Sequence, residues 1–387
     1  MSDFNTLRIL SLDGGGMRGY VSANFLKSFV DLWGINPNEL WKYFDVITGS
    51  SIGGIMALAL SFGKSPEELL TFFTEDGPWI FTTSTTTPSS RPSTLSKVNT
   101  ILGGPLSNPT FYPSTTSGIG TMRLKSKLDS VFGATTTMAD LKATTVITSF
   151  EKNNVDPDYG QDTNTPVYFS NSQVVPSLIG QDFNIVDVAM STSAAPLYFP
   201  SWSIGTDLYI DGGVVQNNPA GLALNIAKAK KPTAKRYCVL SIGTGLGDVG
   251  FPPENSVRSR VNQEIQDLRK DRKVFADKWR LSTKQLKEIE DLSNNLRALE
   301  GAYLIMYLLG VTTTGPQEVE ARELFIESNY TLEQLYYYRM QYYFEPSQDT
   351  EFDNSTPEIL QYYQTATAEY FNNDIDNITT FLGHLTA

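Results

Sequence analysis

The chain has 387 residues, 40% of them hydrophobic, with 42 acidic against 30 basic side chains and a formal net charge of -12. That is enough apolar material for a sizeable core, and the acidic balance excludes broad attraction to nucleic acid or to an anionic membrane surface. One cysteine, Cys238, excludes an internal disulfide framework and, inside "RYCVLSIG", reads as a small buried residue.

The opening stretch "MSDFNTLRIL" has neither a basic n-region nor an apolar h-region, and no apolar run reaches membrane-spanning length. A cytoplasmic chain without secretory signal or transmembrane segment is the expectation. "LRILSL" (7–12) predicts a buried strand ending at three consecutive glycines, and "YVSANFLKSFVDLW" follows with apolar residues at helical spacing. "YFDVITG" is a second β-rich run that ends at "GSSIGG" before the apolar helix candidate "IMALALSFG". Strand, tight turn and helix twice within 63 residues predict an α/β sheet with crossover helices.

Residues 77–120 are rich in Ser, Thr, Pro and Gly without a sustained period and read as a long excursion, a candidate lid. "TTVITSFEK", "TPVYFSN", "LYIDGG" and "RYCVLSIGTG" supply further strands, the last two separated by a helical stretch from Pro219 to Lys230. Beyond Gly250 charged helical patterning takes over. The division expected is an α/β body over 7–245 that holds every chemical motif, and a mainly helical segment over 246–387 packed on it. "YYYRMQYYF" reads as aromatic packing rather than as a binding surface.

Gly49-Ser50-Ser51-Ile52-Gly53 fits G-x-S-x-G, which sets a serine at a sharp strand-to-helix turn with its hydroxyl presented for attack. Such a hydroxyl needs a base, ordinarily histidine. The chain contains one histidine, His384, three residues before its end, where a surface tail is the plainer reading. Asp211, at the end of a β-rich run and followed by Gly212 and Gly213, is the other candidate base, provided burial raises its pKa; Asp-Gly-Gly also marks ordinary turns. Acyl transfer further requires N–H donors aimed at a developing oxyanion, and Gly14, Gly15 and Gly16 can expose successive amides. A phosphate-binding loop is the rival reading, but the spacing is not G-x-G-x-x-G and no Walker lysine follows.

Together, Asp13–Gly19 (D-G-G-G-x-R-G), Gly49–Gly53 and Asp211–Gly213 resemble the three marks of the patatin-like phospholipase family, in the family's order. "STSAAPLYFP" (191–200) and "QNNPA" (216–220) are similar to further family stretches. The resemblance implies a three-layer α/β/α fold with a mostly parallel central sheet and a lipid acyl hydrolase using a Ser-Asp dyad. Under it Ser51 attacks the ester, Asp211 takes the proton, and Gly14, Gly15 and Gly16 form the oxyanion hole. Asp13, Arg18, Gly19, Gly49, Gly53, Gly212 and Gly213 support the motifs, Arg18 steadying the loop or meeting a lipid phosphate, and Asp13 anchoring the turn. The implied substrates are phospholipids or galactolipids, met at the membrane surface and cleaved without metal or cofactor. A protein activator or homo-oligomer is left open. The alternative is a binding or storage protein on the same frame with incidental esterase activity; a third reading, a His-dependent triad, rests wholly on His384.

Overall fold

Strands such as "LRILSL" carry apolar side chains on both sides, which requires a sheet covered on both faces. The computed structural model of the chain describes residues 6–81, 119–155, 162–172, 174, 182–196, 198–247, 257–279, 281, 283–294, 318–329, 334–345, 348 and 350–387. The candidate lid over 77–120 therefore falls mostly outside the described residues. Among these, strands β1 (Thr6–Leu12), β2 (Val46–Ser50), β3 (Thr144–Val155), β4 (Asp162–Ser170), β5 (Trp202–Ile204), β6 (Asp207–Asp211), β7 (Arg236–Ile242) and β8 (Gln334–Met340) form one sheet. Its order is β5-β6-β3-β2-β1-β7-β8, with β4 paired to β3. The run from β3 through β2, β1 and β7 to β8 is parallel, and the β3–β4, β3–β6 and β5–β6 pairings are antiparallel.

The labelled helices are α1 (Gly19–Trp33), α2 (Ile52–Phe62), α3 (Pro66–Thr71), α4 (Gly77–Ile80), α5 (Ile119–Phe132), α6 (Ile185–Thr192), α7 (Gly213–Gln216), α8 (Ala220–Lys230), α9 (Val257–Lys270), α10 (Arg272–Trp279), α11 (Thr283–Ser293), α12 (Pro357–Asn373) and α13 (Ile375–Thr386). Leu10, Leu12, Ile47, Ile147, Leu240 and Met340 point to one face, where α1, α2, α6, α12 and α13 cover them. Leu7, Ile9, Val46, Val146, Val239 and Leu335 point to the other, under α8 and the helical stretch over 318–329. The alternation of each strand is thus shared between two cores, giving the three layers predicted.

Two differences from the sequence reading bear on the site. The segment after residue 245 is more than helical: its strand β8 pairs in parallel with β7, from Arg236 opposite Gln334 to Ile242 opposite Met340. The aromatic "YYYRMQYYF" begins inside this strand and does pack, as Tyr338 stacks on Phe381 of α13. The second is how β2 and β6 share one edge of β3. Ser50, the last residue of β2, lies opposite Thr148, and Asp211, the last of β6, lies opposite Ser149. The two strands run toward each other along β3 and stop at adjacent residues, so their ends meet.

Candidate active site

That meeting point is where Ser51 and Asp211 come together. Ser51 Oγ donates to Asp211 Oδ2 at 2.6 Å, across 160 residues of sequence. Ser51 has φ 55° and ψ -128°, the one positive φ at a non-glycine residue among the described residues. The strain of such a backbone is of order 1–3 kcal/mol and persists only where surroundings over-determine it. Here they do. The Ser51 N–H donates to Thr192 Oγ1 at 2.9 Å, and its carbonyl accepts from Ile55 in the first turn of α2. Gly49 and Gly53 let the turn close: a methyl on Gly49 would meet the Gly53 carbonyl, and one on Gly53 would meet the carbonyls of Leu12 and Asp13.

Asp211 is 4% exposed. Burial pushes its carboxyl up to about 7, against the lowering effect of the hydrogen bonds from Ser51 and from the Gly213 N–H, which reaches Oδ1 at 2.7 Å. Among the described residues no charged neighbour contributes to that shift; desolvation is its cause. The backbone of the base turn is tied to the same stretch that holds the serine, since the Asp211 N–H donates to Ala194 O and the Gly212 N–H to Thr192 O. Residues 192–194 thus register elbow and base against each other.

The glycine loop lies beside this pair. Its three glycines, equivalent in the sequence reading, are not equivalent in space. The Gly14 N–H donates to Asn217 O at 3.2 Å, and the Gly14 carbonyl accepts from Asn217 Nδ2 and from Thr244 Oγ1. The Gly14 amide is therefore already engaged in the scaffold, unlike those of Gly15 and Gly16. The N–H groups of Gly15 and Gly16 have no partner among the described residues, and both glycines line the cleft with Ser51 and Asp211. Gly16, at φ +56°, sits where a side chain would collide with Phe352 O.

The cleft has a volume of about 110 Å³ and is walled by Ile55, Phe72, Ile80, Phe81, Leu124 and Phe199. A buried carboxylate lining an apolar slot, hydrogen-bonded to a strained serine, can remove a proton from that serine and can then act on a water. No group of three or more His, Cys, Asp or Glu side chains among the described residues is placed to hold a metal ion.

The patatin-like phospholipase family profile matches residues 10–224, over half of the chain. The chain belongs to this family. A cGAMP-activated phospholipase of Vibrio cholerae is 33% identical over 235 residues, covering 57% of this chain and 58% of its own. Calcium-independent phospholipase A2-gamma of Rattus norvegicus is 29% identical over 247 residues, covering 62% of this chain and 28% of its own. The chain thus spans less than two thirds of the length of either relative. VipD from Legionella pneumophila overlaps 95% of this chain and 67% of its own at a TM-score of 0.38 and 12% identity, too loose a match to carry an argument.

The family motifs account for one side of the site. Gly19 packs against Phe73 and Ile52 with no room for a side chain, and Gly212 does the same against Thr148. Residues beyond the matched stretch supply the other side. Arg339 of β8 holds Asp13, with Nη2 at 2.6 Å from Oδ2 and Nη1 at 3.1 Å from Oδ1. Phe352 accepts the Met17 N–H at 2.7 Å, lines the cleft, and lies 4.4 Å under the Arg18 guanidinium. Arg18 is buried with its Nε unpaired among the described residues, and burial lowers its pKa. The sequence reading missed Arg339 and Phe352. A lone charge inside an aromatic run, the Arg of "YYYRMQYYF", is the one signal that marked Arg339.

His384 is far from this chemistry. It sits in α13, stacked on Tyr336 with ring centroids 3.9 Å apart, and its carbonyl accepts from Arg236 at 2.8 Å. Tyr336 and Arg236 lie at the start of β8 and β7, whereas Ser51 follows the end of β2. Six residues of strand at about 3.3 Å each put roughly 20 Å between them. The His-dependent triad falls on that distance, and His384 is a helical packing residue rather than a free tail. No helix among the described residues is long and apolar enough to cross a membrane.

Proposed function

We propose that this chain is a lipid acyl hydrolase of the phospholipase A type that works through a Ser51–Asp211 dyad. The observation that carries the reading is the 2.6 Å hydrogen bond from Ser51 Oγ to a buried carboxylate, both residues lining an apolar cleft. Asp211 accepts the Ser51 proton as Oγ attacks the ester carbonyl. The negative oxygen of the tetrahedral intermediate is met by the Gly15 and Gly16 amides, each such donor being worth about 10²–10³ in rate. Collapse expels the alcohol, which takes the proton from Asp211 and leaves Ser51 acylated. Water then attacks the acyl-enzyme, gives its proton to Asp211, and the proton returns to Ser51 as the fatty acid departs. Aromatic and aliphatic walls select an acyl chain, and phospholipids and galactolipids are the substrate classes proposed.

Fatty-acid release from phospholipid and from galactolipid vesicles, with chelator present, tests the reading on wild type, Ser51→Ala, Asp211→Ala and His384→Ala. One series includes cGAMP, because the Vibrio cholerae relative is described as activated by it. Turnover lost in the first two variants and kept in the third is expected. Turnover that survives Ser51→Ala would refute the dyad, and an inert wild type in every series would favour the binding or storage protein.

A further inference from the structure

The glycine loop is fastened at both flanks by side chains and carbonyls that arrive from distant parts of the chain. Before it, the Asp13 N–H donates to Ile242 O at 3.0 Å, and Gly14 is held by Asn217 and Thr244. After it, Met17 donates to Phe352 O. Of the loop's glycine amides, only those of Gly15 and Gly16 have no partner among the described residues, and their direction depends on how those flanks are fixed. One fastening stands apart: the Asp13 carboxylate, 0% exposed, held through both oxygens by Arg339.

The register explains why an arginine is needed. Ser11 of β1 lies opposite Ser241 of β7, and Ser241 lies opposite Arg339 of β8. Arg339 therefore starts two strands from β1, a span of about 9.5 Å at the usual strand spacing. Its side chain crosses β7 over the small Ser241, whose Oγ accepts from Nη1 at 2.8 Å, and ends on Asp13, two residues beyond Ser11 on the same face. A bulky residue at 241 would block the crossing. A lysine at 339 has the charge but one nitrogen, so it can pull on Asp13 without fixing its plane. Burial disfavours the Arg339 cation, yet Asp13 outweighs that and raises its pKa.

We infer that Arg339 is a positioning residue of the active site: its two-point grip on Asp13 sets the direction in which Gly15 and Gly16 present their amides to the oxyanion. A buried ion pair is a weak source of stability, because desolvation of both charges offsets their attraction. Its contribution here is geometric, and it makes strand β8, outside the stretch matched by the family profile, a part of the catalytic apparatus. The inference rests on the hydrolase reading above.

Two variants test it: Arg339→Lys, and the neutral pair Asp13→Asn with Arg339→Gln, which leaves no charge buried alone. Each is assayed in the full chain on p-nitrophenyl butyrate, with kcat normalised to sites titrated to completion with an alkyl fluorophosphonate. Affinity for an alkyl trifluoromethyl ketone is measured alongside, since its adduct with Ser51 carries an oxyanion where the tetrahedral intermediate does. Expected is a fall in kcat per titrated site of about 10- to 100-fold, the scale of a misplacement near 1 Å, with KM within about twofold and ketone affinity weakened by the same factor as kcat. A merely structural role would lower the melting temperature and the titrated fraction while leaving kcat per site and ketone affinity intact, and that result overturns the inference. Wild-type turnover abolished by Ser51→Ala but unchanged in both variants sinks this inference alone. An inert wild type, no different from Ser51→Ala, sinks the hydrolase reading and this inference together.

Discussion

Asp211→Asn separates what the site does for chemistry from what it does to stability. An ordinary aspartate titrates near 3.8, and burial moves Asp211 to about 7. Because the folded pKa is the higher one, protonation favours the folded state. The stabilisation from the neutral carboxyl is complete below about 3.8 and is lost as pH rises to about 7. At 1.36 kcal/mol per pKa step, holding Asp211 ionised at pH 8 destabilises the fold by roughly 4 kcal/mol relative to holding it neutral. Asparagine keeps the shape and cannot ionise. Urea denaturation of both proteins from pH 4 to pH 8 is therefore expected to show the variant gaining on wild type across that window, by up to about 4 kcal/mol at the alkaline end. The wild-type profile of kcat/KM should rise through a pKa near 7 over the same range, since only the ionised carboxylate accepts a proton. Desolvation rather than a neighbouring charge sets the shift, so added salt should leave that midpoint in place. A stability difference independent of pH, or a rate limb near 4, would refute the assignment of a raised pKa to Asp211.

Other expectations follow from backbone and packing. Ser51→Gly removes the side chain from a residue at φ 55° and should raise stability by about 1 kcal/mol while abolishing turnover, read by melting temperature and ester assay together. Gly53→Ala sets a methyl against the Leu12 and Asp13 carbonyls and should lower stability by about 3 kcal/mol, visible as a lower urea midpoint with an unchanged slope. His384→Ala loses the stack on Tyr336, worth about 1 kcal/mol, and should leave kcat/KM untouched.

How much of this was legible from the sequence depended on how far each contact reaches along the chain. The elbow was legible because its requirements are local: a strand, a turn too tight for a side chain at Gly49 or Gly53, and a helix, all within a dozen residues. Asp211 was legible only as one of two candidate bases. The resemblance to the patatin-like family is what favours it over His384, and strands β2 and β6, ending against Thr148 and Ser149, bring it to Ser51. The three glycines could not be told apart, because what distinguishes Gly14 is a backbone hydrogen bond to Asn217, some two hundred residues away.

Strand β8 was the larger omission, and its cause is instructive. A parallel strand carries no hairpin turn to announce its partner, and about ninety residues of sequence separate it from β7. A run as aromatic as "YYYRMQYYF" then satisfies a packing explanation completely, and most of it does pack. What packing does not explain is the arginine in its middle. An aromatic strand at a sheet edge has no use for a buried guanidinium unless a buried anion lies within reach, and among the described residues Asp13, the first residue of the glycine loop, is the carboxylate it grips. The motif that marks the N-terminal end of the candidate site and the charge that looks out of place near the C-terminal end are two halves of one ion pair, so the contacts that hold the glycine loop extend past the stretch that carries the motifs.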